Sequence, residues 1–187
     1  SCLIFSASED PVFGEKGMIV STSRQASEAG IEILKKGGNA IDAAVAVGFA
    51  LAVTSSGNGN LGGGGFLVAA MKNGDTFTID HREKSPKKST KTMYLDNDGD
   101  IIDGMSLYSR ASSGVPGTVD GLLKALIDHG SGSISRQQIL APAIKLAGRG
   151  FNLSHYEAER FNLYKEFFDR NEAAKKIFVK KNNTPWK

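Results

Sequence analysis

Six glycines lie between Gly57 and Gly65 and run without a break into the apolar stretch Phe66-Leu67-Val68-Ala69-Ala70-Met71. So many glycines free the backbone to reach positive φ and to approach another backbone closely, at an entropic cost when the segment orders. An unstructured linker would not lead straight into a buried strand, so the run reads as an ordered loop. Lys72-Asn73-Gly74-Asp75 then reverses the chain. Asn-Gly predicts a type I′ turn, which needs positive φ at both central residues. The return strand is Thr76 to Asp80, and it carries Asp80-His81-Arg82-Glu83 back to the end of the hairpin where the glycine loop sits.

That placement sets Arg82 near open backbone N–H groups. A guanidinium offers a planar, bidentate donor fork suited to a carboxylate, and free amides would add to it. The alternative is an arginine paired with Glu83 or Asp80 on a solvated strand end. Gly57, Gly59 and Gly62 also satisfy G-x-G-x-x-G, with Asp80 downstream as a ribose-binding acid. A dinucleotide site needs a strand before the glycines and a helix after them. Here a helical pattern precedes them and a hairpin strand follows, which argues against a nucleotide.

Upstream, Met18 to Thr22 reads as a short strand. Thr22 and Gln25 form a capping-box pattern for a helix from about Ser23 to Lys36, ended by Gly37-Gly38. Ala26, Ala29, Ile33 and Leu34 give it one apolar stripe. Asn39 caps the next helix, Ile41 to Val53, with Asp42 well placed in its first turn. Apolar on nearly every side, this helix must be buried, and its alanines and Gly48 suit close packing against a sheet. It is too short for the roughly 20 residues of a membrane span.

Downstream, Asp96-Asn97-Asp98-Gly99-Asp100 alternates acids as a calcium loop does. The glycine falls at the wrong position for an EF-hand and no closing glutamate follows, so a hairpin with an Asp-Gly turn is expected. Gly114-Val115-Pro116-Gly117 leads into a helix from about Thr118 to Asp128, ended at Gly130. Ser135 with Gln138 opens another, in which Pro142 predicts a break or a fresh first turn. Ser154 with Glu157 opens a third, to about Arg170, whose Tyr156, Phe161, Tyr164, Phe167 and Phe168 are expected in the core. His155 is given no catalytic role. Beyond Phe178 the sequence stops in a lysine- and asparagine-rich stretch, as an interrupted chain would.

With 187 residues, 40% of them hydrophobic, and a net charge of +3, the composition is that of one ordinary globular domain and gives no case for nucleic acid. The single cysteine, Cys2, excludes an internal disulfide and a multi-cysteine metal site. No metal or other cofactor is expected. Cys2-Leu-Ile-Phe-Ser-Ala-Ser resembles the tail of a signal peptide. Ser1 or Cys2 as an N-terminal nucleophile is the alternative.

Four motifs occur in order: Gly37-Gly38-Asn39-Ala40-Ile41-Asp42-Ala43-Ala44, Gly59-Asn60-Leu61-Gly62-Gly63-Gly64-Gly65-Phe66, Asp80-His81-Arg82-Glu83 and Val115-Pro116-Gly117-Thr118. Together they make the chain, from about Gly17 to its end, resemble the N-terminal part of the large chain of a γ-glutamyltranspeptidase. His81 departs from the family, which commonly has phenylalanine there, and leaves the arginine in register. The resemblance implies an α+β fold, the α-β-β-α sandwich of an N-terminal nucleophile hydrolase, only part of it in this chain. Residues 1–16 would be a leader or signal-peptide remnant, and 17–187 the start of the large chain. It further implies a precursor that cleaves itself into a large and a small chain, and a small-chain threonine that attacks the γ-carbonyl of glutathione or a related γ-glutamyl compound. Arg82 would grip the substrate α-carboxylate, with Gly62 to Gly65 as lesser candidates that serve either ligand contact or close packing against a small-chain strand. No catalytic residue would lie in this chain, which alone would be inactive, and the enzyme would be periplasmic or secreted. A cephalosporin acylase, a capsule-anchoring transpeptidase and a processing-defective binding module are the alternatives.

Overall fold

The structure is a computed structural model and describes residues 11–187; the signal-peptide and Ser1 or Cys2 readings lie outside the described residues. The core is helical and built around one apolar helix. Helix α1 (Arg24–Lys35) starts at Ser23, whose hydroxyl accepts from the Ala26 N–H at 3.4 Å, one residue later than the Thr22 cap predicted. Helix α2 (Ala40–Thr54) starts at Asn39 and presents Ile41, Ala43, Val45, Ala46, Phe49 and Ala50 to the interior. A helix so uniformly apolar is stable only when covered on most sides. Its cover is α1, α4 (Thr118–His129) and α5 (Arg136–Arg149), not the sheet expected from its small residues. Glycine permits the close crossings: a Cβ on Gly30 of α1 would sit 2.6 Å from Val47 Cγ2, and one on Gly48 2.9 Å from Leu122 Cδ1.

Among the described residues the only sheet is a two-stranded antiparallel hairpin, β1 (Phe66–Ala70) and β2 (Thr76–Asp80), in register from Phe66 opposite Asp80 to Ala70 opposite Thr76. Leu67, Ala69, Phe77 and Ile79 face the helical core. Phe66 (69% exposed) and Val68 (80%) face outward. The turn differs from the type I′ expected, because Gly74 has φ +92° and Asn73 does not have positive φ. Met71 N–H donates to Asp75 O and Gly74 N–H to Met71 O, the three-residue loop in which glycine alone takes the left-handed position.

Met18 to Thr22 forms no strand; the segment runs beside α1, with Ile19 against Gly30, and has no strand to pair with among the described residues. Pro142 does not break α5, which runs through it with Pro142 buried. Its burial outweighs the one helical hydrogen bond that proline cannot donate. The Asp-Gly hairpin reduces to one bridge, Leu95 to Ile101. There Asp96 Oδ1 accepts from the N–H groups of Asp98 and Asp100, so this carboxylate is occupied in closing the turn. A one-turn helix, α3 (Met105–Tyr108), follows. The third predicted helix is broken at Tyr164 into α6 (His155–Leu163) and α7 (Lys165–Asp169), and α8 (Glu172–Phe178) comes after it. Their aromatic rings are not the closed core expected. Tyr156 is 55% exposed, and Tyr164 and Phe167 are each 41% exposed. His155 lies on the surface beside Glu159, 3.1 Å away.

Asp42 does more than favour a helix terminus. Fully buried, it accepts from the Asn39 N–H at 2.9 Å, completing a capping box, and from the Ser131 N–H at 3.2 Å, 89 residues later. Asn39 Nδ2 in turn donates to His129 O at 2.9 Å. The start of α2 is thereby clamped to the end of α4. Asp42→Asn turns one acceptor oxygen into a donor facing an N–H, and a buried polar mismatch costs about 1–3 kcal/mol. The expected outcome is a lower denaturation midpoint; an unchanged one would mean that the clamp contributes nothing.

Candidate functional site

Three of the four sequence motifs meet at one corner. The hairpin ladder continues one pair past Phe66 and Asp80: His81 N–H donates to Gly65 O at 3.0 Å, and Gly65 N–H to His81 O at 3.3 Å. Asp80 Oδ1 then accepts from the Arg82 N–H at 3.0 Å and turns the chain out of the strand. Two residues on, Lys84 and Val115 exchange backbone hydrogen bonds of 3.1 and 2.8 Å. Gly63 O accepts from the N–H groups of Gly117 and Thr118 at 2.9 and 3.0 Å, so the glycine loop occupies donors at the start of α4 that a helix cannot satisfy itself.

The glycines of this corner are required by crowding. A Cβ on Gly64 would lie 2.5 Å from His81 O and 2.8 Å from Arg82 Cα. One on Gly117 would strike the His81 carbonyl, and one on Gly121 would strike the Cβ and Cγ of His81. On Gly63 it would meet Asn60 Oδ1 at 2.6 Å, whereas Gly62 has its nearest such neighbour, Asn60 Oδ1, at 3.7 Å. Gly63 and Gly64 are thus packed closely within this chain, against its own backbone and Asn60, a different contact from the small-chain strand weighed for Gly62 to Gly65.

Arg82 is fixed through its backbone and half exposed at its side chain. Its side chain is 57% exposed, with Nη1 3.4 Å from Glu83 Oε2 and Cζ 6.0 Å from the Phe66 ring centroid. The pairing with Glu83 considered from sequence is thus present. Asp80 is spent on the backbone N–H instead. Glu83 Oε2 is buried and has no hydrogen-bond partner, so the 3.4 Å approach is an ion pair by distance without hydrogen-bond geometry. With the guanidinium half exposed and no hydrogen-bond geometry, the pair holds Arg82 only weakly. Most of the five guanidinium donors remain available to an incoming anion.

His81 lies between Gly65 and Gly121, and its Nδ1 is buried without a partner. A ring held by shape and not by hydrogen bonds leaves room for a phenylalanine at this position. An unpartnered buried nitrogen costs about 1–3 kcal/mol, so His81→Phe is expected to raise the melting midpoint and leave Arg82 in place. A lower midpoint would show that the imidazole has a partner in solution.

The fourth motif lies at the other end of α4, in the clamp at Asp42. At about 1.5 Å per residue the 12 residues of α4 make a strut of roughly 18 Å between clamp and corner. Phe77 of β2 stacks on His129 near the clamp end, with ring centroids 3.6 Å apart. The dinucleotide pattern is absorbed into packing: Gly59 lies on the Leu51 backbone and Gly57 beside Arg160, with α2 before and β1 after. Among the described residues no group of three or more His, Cys, Asp or Glu side chains could hold a metal ion. No helix of the described residues is long and apolar enough to cross a membrane.

A helical layer over one face of a hairpin, with glycine loop and strand end locked together, is an α+β arrangement forming part of an N-terminal nucleophile hydrolase sandwich. The family model for gamma-glutamyltranspeptidase matches residues 26–187, and the chain belongs to that family. It is 44% identical over 176 residues to a glutathione hydrolase proenzyme of Pseudomonas sp. (strain A14), covering 92% of this chain and 30% of that protein. To the glutathione hydrolase proenzyme of Escherichia coli (strain K12) it is 45% identical over 171 residues, 91% of this chain and 29% of that one. The crystal structure of Helicobacter pylori gamma-glutamyltranspeptidase superposes with a TM-score of 0.89 at 42% identity, covering 95% of this chain and 50% of that chain. Acylase proenzymes are more distant, at 35% identity. The chain therefore spans about 30% of the length of these two glutathione hydrolase proenzymes.

Proposed function

We propose that this chain is the opening part of the large chain of a self-cleaving γ-glutamyltransferase, and that Arg82 holds the α-carboxylate of glutathione or a related γ-glutamyl donor. The observation that carries this reading is the corner itself. A backbone locked by Gly64, Gly117 and Asp80 presents a half-exposed guanidinium whose one carboxylate neighbour among the described residues, Glu83, lies at 3.4 Å without hydrogen-bond geometry. Substrate binding there replaces a weak intramolecular pair with a bidentate one, which orients the γ-carbonyl without Arg82 touching it.

In this scheme the chemistry comes from the small chain of the same precursor. Its N-terminal threonine Oγ attacks the γ-carbonyl while its own α-amine takes the proton. The cysteinyl-glycine amine leaves with that proton, and the γ-glutamyl ester passes to water or to an acceptor amine. No metal or cofactor takes part. Two features of the hairpin support a missing partner: both outer strand edges are unpaired among the described residues, and Phe66 and Val68 stand exposed on its outer face. A two-stranded sheet with a bare apolar face is marginal alone and invites further strands. Residues 1–16 are assigned to a leader and residues 17–187 to the large chain, with export to the periplasm or beyond.

Intact mass and N-terminal sequencing of the complete gene product test the reading. Two chains are expected, the smaller beginning with threonine, together with release of nitroaniline from a γ-glutamyl anilide. A single uncleaved, inactive chain would contradict it, as would turnover by residues 1–187 alone.

A further inference from the structure

A cavity of about 350 Å³ opens between α6, α7, α8 and the end of α2, walled by Tyr108, Phe161, Tyr164, Phe167, Phe168 and Phe178. At its lining lies a carboxylate that the corner around Arg82 does not use. Glu157 is 4% exposed; its Oε1 accepts from Ser55 Oγ at 3.3 Å, and its Oε2 is buried with no hydrogen-bond partner among the described residues. Arg160 also lines the cavity, but its Nη1 donates to Tyr156 Oη at 3.0 Å and its Cζ stands 5.5 and 5.6 Å from the Tyr156 and Tyr164 rings. A carboxylate oxygen removed from water needs a donor, and an ionised one needs a cation. The walls are aromatic faces, which favour a cation on an apolar stem.

Length and position point to where such a cation would come from. Two glutathione hydrolase proenzymes similar to this chain are more than three times as long as the portion that it matches, so most of their length has no counterpart in residues 1–187. Trp186 packs behind two residues of the cavity wall: Nε1 donates to Phe178 O at 2.7 Å, its N–H to Asn162 Oδ1 at 2.8 Å, and its ring centroid is 6.2 Å from that of Phe161. Meanwhile Tyr108, at the cavity mouth, is 69% exposed.

We infer that a later segment of the same precursor fills this cavity and brings a lysine or arginine to Glu157 Oε2. The inference rests on the proposed function only in requiring a longer precursor, and it does not involve Arg82 or the threonine. The test is hydroxyl-radical footprinting of the complete protein, wild type and Glu157→Gln, each against its urea-unfolded form. In the wild type, Tyr108 and Phe167 are expected to be protected at least tenfold, and in E157Q this protection should fall several-fold while that of α1 and α2 is kept. Free labelling of both residues in the wild type would overturn the inference, since the cavity would then be open in the complete protein. Equal protection in both proteins would overturn it too, because the occupant would then need no cation. The wild-type result stands even if E157Q does not fold. A gene product whose mass ends at Lys187 would remove the precursor reading itself, which the footprint alone would not do.

Discussion

Arg82→Ala in the complete protein is expected to lower kcat/KM for a γ-glutamyl anilide by roughly 10- to 150-fold, while self-cleavage stays normal. The range follows from a charge-assisted hydrogen bond worth about 1.5–3 kcal/mol, at about 1.4 kcal/mol per tenfold. Folding should survive, because the Arg82 side chain is 57% exposed and its ion pair with Glu83 is long. What holds the corner is the backbone of this residue, through Asp80 Oδ1, and alanine keeps that hydrogen bond. Arg82→Lys keeps the charge and loses the planar fork, so it should fall between the two. Mass spectrometry separates a binding defect from a processing defect. Unchanged kcat/KM in a fully processed R82A enzyme would place the α-carboxylate elsewhere.

The second large effect is expected at Gly117. Its φ of −118° is open to any residue, so backbone strain plays no part. The obstacle is the His81 carbonyl, which a Cβ would strike, and that carbonyl belongs to the last pair of the hairpin ladder. Gly117→Ala must therefore push β2 away from α4, or lose the hydrogen bonds that Gly117 and Thr118 give to Gly63. Overpacking of this kind costs about 1–3 kcal/mol and sometimes more. Because the displaced atoms carry Arg82, kcat/KM should drop at least about tenfold in whatever protein folds. Gly148→Ala is the control: nothing lies within 4 Å of its Cβ, so it should be neutral or stabilising by up to about 1 kcal/mol. Activity of G117A within twofold of wild type would mean that loop, strand end and helix start are not packed together.

Local signals carried most of the secondary structure. The Asn39 cap, the Ser135 and Ser154 starts, and the return strand Thr76 to Asp80 all stand where spacing put them, because each depends on residues within one turn or one strand. Failures came where distant contacts decide. Met18 to Thr22 has β-forming residues but no neighbouring strand among the described residues. Pro142 is tolerated because its burial outweighs one absent hydrogen bond. Asp42 reads locally as a helix-terminus charge, and nothing near it in sequence announces Ser131. The aromatic run after Ser154 was expected to be core since large rings usually are; here the helix breaks at Tyr164 and the rings surround a cavity. The position of Arg82 beside the glycine loop was legible by reach alone, as the hairpin must return there. The occupation of Gly63 O by α4 was not, for no local pattern ties residue 63 to residue 117.

The most direct test measures kcat/KM for a γ-glutamyl anilide and for its α-carboxamide analogue, in wild type and in Arg82→Ala. If Arg82 holds the α-carboxylate, the wild-type preference for the free acid should be on the order of tenfold or more, and it should shrink to within about threefold in the variant. A preference that survives the loss of Arg82 undiminished would contradict the account.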